Sequence, residues 1–113
     1  MGKCFGGFAL LALHTFASAA DGFAFDIKPG KFDEYCLRME AGEAIRWRFT
    51  ATAPVEFNIH YHRGEQVFYP VRRTHAERAS GGFRARVADD YCLMWVNPGP
   101  GMSAVDGGIE RRR

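Results

Sequence analysis

The chain has 113 residues, of which 47% are hydrophobic, and its formal net charge at pH 7 is +2. This length fits a single domain, and the apolar content, with ten phenylalanines, excludes an intrinsically disordered chain. The near balance of basic and acidic residues argues against a dedicated nucleic-acid-binding protein, because such proteins carry a clear basic patch.

Residues 1–20 have the order of features of a secretory signal peptide. Lys3 supplies positive charge, residues 5–16 form an apolar segment, and small residues precede a predicted cleavage site after Ala19 or Ala20. The apolar segment is shorter than the ~20 residues that a membrane-spanning helix needs. No later segment could span a membrane either. We therefore predict an exported protein, secreted or periplasmic, without a transmembrane span in the mature chain.

The segments that follow alternate between apolar and polar residues and are separated by glycine and proline. Their apolar members are Phe23, Phe25 and Ile27; Tyr35, Leu37 and Met39; Ile45, Trp47 and Phe49; Val55, Phe57, Ile59 and Tyr61; and Phe83, Ala85 and Val87. Residues 91–96 are apolar throughout, which is typical of a central strand covered on both faces. Alternation with a period of two predicts strands, so we expect an all-β fold, a small antiparallel β-sandwich formed by residues 21–100.

Other parts of the chain lack this alternation. Residues 72–80 are polar, and we predict a mobile loop or a short helical turn there. Gly81 and Gly82 favour a hairpin turn, and residues 89–90 favour an acidic turn. Residues 101–113 are rich in glycine and end in three arginines, so we predict an irregular basic tail.

Two cysteines remain once the predicted signal peptide is removed. Cys36 lies in an early strand and Cys92 in a late one. An even pair in a small exported domain predicts a disulfide, which the chain-entropy estimate values at roughly 4 kcal/mol for a loop of this length. The alternative is a pair of buried thiols or of ligands to a soft metal.

The order of these features resembles the GOLD (Golgi-dynamics) domain, a small β-sandwich of secretory-pathway cargo adaptors and lipid-transfer-associated proteins. The residues that carry the resemblance are Cys36-Leu37, residues 40–43 (EAGE), Ile45-x-Trp47-x-Phe49, residues 55–59 (VEFNI), residues 67–70 (VFYP), Gly82-Phe83 and residues 90–97 (DYCLMWVN). The resemblance covers roughly residues 33–97 and implies a jelly-roll-like sandwich that recognises a partner without catalysis. No membrane anchor or coiled coil follows, so adaptor function is not implied.

Two histidines are candidate metal ligands. His60 and His62 are two residues apart in a predicted strand, so their side chains share a face and their Cα atoms lie about 7 Å apart. Two imidazoles in this arrangement can reach one Zn(II), Cu(II) or Ni(II) ion. His75 is the third candidate ligand, and Met94 or Met102 could serve Cu(I). The alternative is that the histidines are the polar side of an exposed strand.

Four arginines form two further candidate pairs on polar strand faces. If the strands that carry Arg46, Arg48, Arg84 and Arg86 are neighbours, they create a basic stripe for an acidic ligand or a lipid headgroup. Otherwise these side chains are solvated or have cross-strand partners. If residues 44–50 and 55–62 form a hairpin, the first two arginines share the histidine face and disfavour a metal ion.

No catalytic constellation is visible. The spacing of Cys92, Asn97 and Met102 is similar to a cupredoxin copper loop, but an amide replaces the histidine, and a disulfide would consume the thiolate. Ser80 and Ser103 lack a neighbouring base motif. We therefore expect no enzyme and no cofactor.

The sequence thus predicts an exported, non-catalytic binding protein that recognises a protein or a small ligand. A charged sheet face or residues 72–80 provide the predicted contact surface. The alternative function is an exported copper- or zinc-binding protein that uses His60 and His62.

Overall fold

The computed structural model describes residues 20–112, so all but the last residue of the predicted signal peptide lies outside the described part. Six antiparallel strands make up this part: β1 (Ala20–Ile27), β2 (Phe32–Met39), β3 (Ala44–Arg63), β4 (Gln66–Arg84), β5 (Asp89–Val96) and β6 (Ser103–Arg112). The all-β prediction is confirmed, and among residues 20–112 no helix is long and apolar enough to cross a membrane.

Strand β3 links the two halves of a curled sheet. The strands follow the order β1-β6-β3-β5-β2, and β4 pairs with the other edge of β3. Residues 44–51 of β3 pair with β6, whereas residues 56–60 pair with β5. We call β1, β6, residues 44–51 of β3 and residues 78–84 of β4 the arginine half. The disulfide half contains β2, β5, residues 55–63 of β3 and residues 66–76 of β4.

The core lies between these two halves and is rich in aromatic rings. Trp47 of the arginine half lies 4.7 Å from Phe57 of the disulfide half, measured between ring centroids, and Phe23 lies 4.7 Å from Trp95. Both tryptophans are almost fully buried, as the alternation predicts. Each buried aromatic side chain of this kind stabilises the fold by about 1.5–3 kcal/mol.

The predicted disulfide between Cys36 and Cys92 is present. The two residues are directly opposite one another in the β2–β5 pair, with Cα atoms 4.0 Å apart. Their side chains lie on the outer face of the disulfide half, because the neighbouring residues Leu37 and Leu93 point into the core. The bond therefore joins two strands within one half of the sheet.

The prediction for residues 72–82 is wrong, since they form neither a loop, a helical turn nor a hairpin turn. They belong to β4, which pairs with β3 along almost its whole length. This strand pairs with β3 on one side only and is one of the edges of the sheet, and its residues are mostly exposed, so the apolar alternation is weak. Gly81 pairs with Trp47 within the strand, and a glycine is needed there because a β-carbon would lie 2.8 Å from the Trp47 ring.

The predicted irregular tail is also wrong for the residues that the structure describes. Residues 103–112 form β6, which pairs with both β1 and β3. Gly107 shows that the glycine content, which suggested irregular structure, is required by the sheet: a β-carbon there would clash with the carbonyl oxygen of Arg48. The glycines in β6 therefore allow a close approach of strands.

Candidate functional site

A cleft lies on the outer face of the arginine half. Its volume is about 690 Å³, and β3 crosses its centre with Arg46 and Arg48 pointing outward. Alternation explains this orientation, since Ile45, Trp47 and Phe49 point into the core. The lining residues are Ala20, Asp21, Gly22, Arg46, Trp47, Arg48, Ser80, Gly81, Gly82, Gly108, Ile109 and Glu110.

Small residues lie on both sides of Arg48 and on one side of Arg46, and they create the concave shape. Arg48 lies between Ser80 of β4 and Gly108 of β6, whereas Arg46 lies between Gly82 of β4 and Glu110 of β6. A β-carbon added to Gly108 would lie 3.2 Å from Nη1 of Arg48, so the guanidinium group rests on this glycine. Because the neighbours of Arg48 have little or no side chain, its guanidinium group stands above the floor of the cleft, and Arg46 is exposed beside it.

The acidic residues around the cleft are already engaged. Glu110 forms an ion pair with Arg112 at 2.9 Å, and Asp21 accepts a hydrogen bond of 2.8 Å from the hydroxyl of Tyr35. Among residues 20–112, no side-chain hydrogen bond or ion pair is formed by Arg46 or Arg48. The cleft thus presents two unpaired cations, which favours an anionic ligand.

The other two candidate arginines have different positions. Arg84 lies on the same face as Arg46, lines an adjoining smaller cleft with it, and donates a hydrogen bond to the carbonyl oxygen of Gly42. Arg86 follows the end of β4 and lies in a bend, outside the sheet. The structure therefore brings three of the four predicted arginines to one face.

The histidines lie on the opposite side of the molecule. His60 and His62 point outward from the disulfide half, with ring centroids 5.4 Å apart, and His62 is exposed. Residues 44–50 and 55–62 do not form a hairpin with each other, because residues 44–63 are one strand that runs through both halves. Arg46 and Arg48 therefore do not share the histidine face.

His60 is buried although it faces outward, with 5% of its surface exposed. Its Nδ1 atom lies 2.7 Å from Oδ1 of Asn58, and its Nε2 atom lies 3.5 Å from Oε2 of Glu34. Burial lowers the pKa of His60, whereas the Glu34 carboxylate raises it and His62 lowers it further. The net lowering favours a neutral imidazole at pH 7.

The structure does not bring His75 to this pair. His75 lies in β4 with a φ of 51°, and its backbone N–H donates a hydrogen bond of 3.1 Å to Oε2 of Glu56. Glu56 precedes His60 by four residues in the same strand, which is about 13 Å along an extended chain. Glu34 is the carboxylate that lies next to His60, and no local pattern in the sequence indicates this contact.

Asn97, which occupies the histidine position of the cupredoxin-like spacing, has a structural role. This buried amide donates hydrogen bonds to the carbonyl oxygens of Ile27, at 2.8 Å, and Gly101, at 2.7 Å. Its Oδ1 atom accepts a hydrogen bond from the backbone N–H of Gly99. Asn97 thus organises the β5–β6 loop, and Cys92 is held in the disulfide.

No family model matches the sequence, and the comparison with curated proteins found no match. Solved structures do match. The periplasmic inhibitor of g-type lysozyme PliG from Aeromonas hydrophila has a TM-score of 0.58 at 13% identity, over 85% of this chain and 87% of that chain. The pre-peptidase C-terminal domain of Bacillus anthracis collagenase has a TM-score of 0.63 at 13% identity, over 79% and 87%. The Yersinia pseudotuberculosis-derived mitogen has a TM-score of 0.57 at 10% identity, over 83% and 85%.

These similarities establish an all-β, sandwich-like fold. None of the three proteins is a GOLD domain, so that resemblance stays a prediction. At identities of 10–13%, the neighbours define the fold alone.

Proposed function

We propose that this chain is an exported, non-catalytic binding protein whose cleft on the arginine half recognises an acidic segment of a partner protein. The observation that carries the proposal is the pair of unpaired guanidinium groups of Arg46 and Arg48 above a floor of small residues. Guanidinium groups bind carboxylates through two parallel hydrogen bonds, which makes acidic side chains the matching ligands.

The Cys36–Cys92 disulfide supports export, because such bonds persist in oxidising compartments. The predicted signal peptide agrees with this location. Among the structural neighbours, PliG is described as a periplasmic lysozyme inhibitor, a protein that acts on another protein. This chain has a similar fold and a charged surface suited to the same kind of interaction.

A small neutral ligand fits the cleft less well. One structural neighbour, a carbohydrate-binding module, is in complex with β-1,4-galactotriose, and its TM-score is 0.57 at 10% identity. Neutral sugar rings bind well against exposed aromatic faces, yet Trp47, the aromatic residue of this cleft, is only 2% exposed. The charges therefore favour an acidic protein segment over a neutral oligosaccharide.

The test is affinity capture from the exported fraction of the native host with three forms of the mature chain. The wild type is compared with Arg46→Glu/Arg48→Glu and with Lys28→Glu/Lys31→Glu, a control with the same charge change in the β1–β2 turn. We expect one partner to be retained by the wild type and by the control, and lost with the cleft variant. Raised salt should weaken the capture.

Retention of that partner by the cleft variant would contradict the proposal, as would its equal loss with the control. For the captured partner, Arg48→Ala should weaken binding by at least about thirtyfold, or about 2 kcal/mol, if the guanidinium group is desolvated in the complex.

A further inference from the structure

We infer that the outer face of the disulfide half holds a binding site for a divalent transition-metal ion, with His60, Glu34 and His62 as ligands. The site lies on the side of the molecule opposite the cleft, so it does not depend on the function proposed above. We compare the geometry of this site with that of zinc, because imidazole, carboxylate and thiolate groups are the usual ligands of this ion.

The separation of Nε2 of His60 and Oε2 of Glu34 fits a shared ion better than a direct hydrogen bond. The two atoms are 3.5 Å apart, which exceeds the range of about 2.7–3.2 Å for hydrogen bonds between nitrogen and oxygen. Two ligand atoms at tetrahedral positions around zinc, each about 2.1 Å from the ion, lie about 3.4 Å from one another. The observed distance is therefore close to one edge of a tetrahedral site.

The hydrogen bond between Nδ1 of His60 and Asn58 leaves Nε2 as the free ligand atom. Its Nδ1 atom lies 2.7 Å from the amide oxygen of Asn58, which accepts the Nδ1 proton. Metal-binding histidines use such a second hydrogen bond to fix their tautomer and ring orientation. With the proton on Nδ1, the Nε2 lone pair of His60 faces a carboxylate oxygen of Glu34, an unfavourable contact that a cation between the two atoms would relieve.

His62 provides the third ligand and solvent the fourth. Its ring meets the His60 ring edge-on at 5.4 Å, and its side chain is exposed. Among residues 20–112, the His62 side chain makes no hydrogen bond or ion pair, so it is free to turn toward the ion. Two histidines and one carboxylate with an open position form a recurrent zinc-binding set.

The disulfide positions the carboxylate but does not supply ligands. Sγ atoms of Cys36 and Cys92 lie within 4.8 Å of a carboxylate oxygen of Glu34, yet both sulfurs are used in the disulfide. Glu34 precedes Cys36 by two residues in β2, on the same face. The covalent link between β2 and β5 therefore keeps Glu34 close to His60, which lies opposite Cys92 in β3.

The test is calorimetric titration of ZnCl₂ into the tag-free, disulfide-bonded mature chain. We expect one zinc ion per chain, and a loss of affinity of at least about tenfold for Glu34→Gln and for His62→Ala, since each variant removes one ligand. His75→Ala is the matched control and should bind like the wild type. Both ligand variants change residues outside the core, so they should fold.

Replacement of zinc by cobalt provides an independent readout. A four-coordinate cobalt site should give strong visible absorption that disappears in Glu34→Gln. Binding that is unaffected by Glu34→Gln, or that is lost equally in His75→Ala, would overturn the site. An absence of saturable zinc binding at micromolar concentrations would overturn it as well, and His60 and Glu34 would then be a simple polar pair.

Discussion

At the residue scale, His60 is the most informative side chain of the molecule because it combines burial with a titratable ring. The groups that face it are Glu34 from β2, His62 from its own strand and Tyr69 from β4. From β5, Cys92 is its register neighbour and is held in the disulfide. Burial lowers the pKa of His60 below its ordinary value of 6.5 and is the largest cause; Glu34 raises this pKa, and His62 lowers it.

This lowering predicts that the metal-free protein loses stability when the pH falls from 7.5 to 5.5. In that range the unfolded chain takes up a proton at His60 more readily than the folded chain, so unfolding becomes more favourable. Urea denaturation at both pH values measures the effect. His60→Gln should show a smaller decrease in the free energy of unfolding, and the control His75→Gln should behave like the wild type.

An increase in the free energy of unfolding on acidification would contradict this view of His60. If a protonated His60 formed a strong ion pair with Glu34, acidification to pH 5.5 would increase stability, and His60→Gln would abolish that increase. The ion pair of Asp89 does not interfere, because its hydrogen bond from Arg63 lowers the pKa of Asp89 below 3.8. The stability linked to Asp89 is therefore lost only at a pH lower than those measured.

At the element scale, the disulfide and the curvature of β3 determine where the two outer faces lie. The bond joins β2 to β5, and its cysteines are separated by 56 positions in the sequence. At the bend of β3, Ser103 forms two hydrogen bonds with the backbone of Ala53, one as donor at 2.7 Å and one as acceptor at 3.2 Å. These side-chain bonds replace strand pairing at the bend.

Removal of the disulfide should reduce the free energy of unfolding substantially. For Cys36→Ala/Cys92→Ala, the chain-entropy model predicts a loss of about 4 kcal/mol, since the bond closes a long loop in the unfolded chain. Urea denaturation of the oxidised wild type and the double variant at pH 7.5 measures this loss. A change of less than about 1 kcal/mol would mean that the unfolded chain is already compact, and that the bond contributes little to stability.

Individual elements were predictable from the sequence when only one of their faces is buried. Strand β2 and the two parts of β3 follow the alternation, β5 follows from its continuous apolar sequence, and the disulfide follows from the cysteine count. Residues 72–82 of β4 were missed because most of their side chains are exposed, which leaves no apolar alternation. Strand β6 was missed because glycines such as Gly107 are required by the close approach of β3, a contact between distant parts of the chain.

The candidate sites were predictable only in part, because each depends on the pairing of strands that are distant in the sequence. Alternation placed Arg46 and Arg48 on an outer face, but the floor of the cleft depends on the pairing of β3 with β4 and β6. The link between Glu34 and His60 depends on β5 lying between β2 and β3. Local periodicity contains no information on either arrangement.

At the scale of the whole molecule, the two halves of the sheet share one core and present different chemistry to solvent. The arginine half offers unpaired cations above a floor of small residues, whereas the disulfide half offers neutral imidazole and carboxylate groups. The core separates these faces, so a partner bound at the cleft leaves the histidine face accessible. Variants in one face should therefore leave binding at the other unchanged.

Site-specific photo-crosslinking determines whether the cleft contacts the partner. A photoreactive amino acid is placed either at Ser80, an exposed residue that lines the cleft, or at Glu65, an exposed residue near the tip of the β3–β4 hairpin. Irradiation of the exported protein in its native host should join the partner to the chain from position 80 and not from position 65. Crosslinking from position 65 alone would show that the partner binds at the tip of the hairpin and not at the cleft.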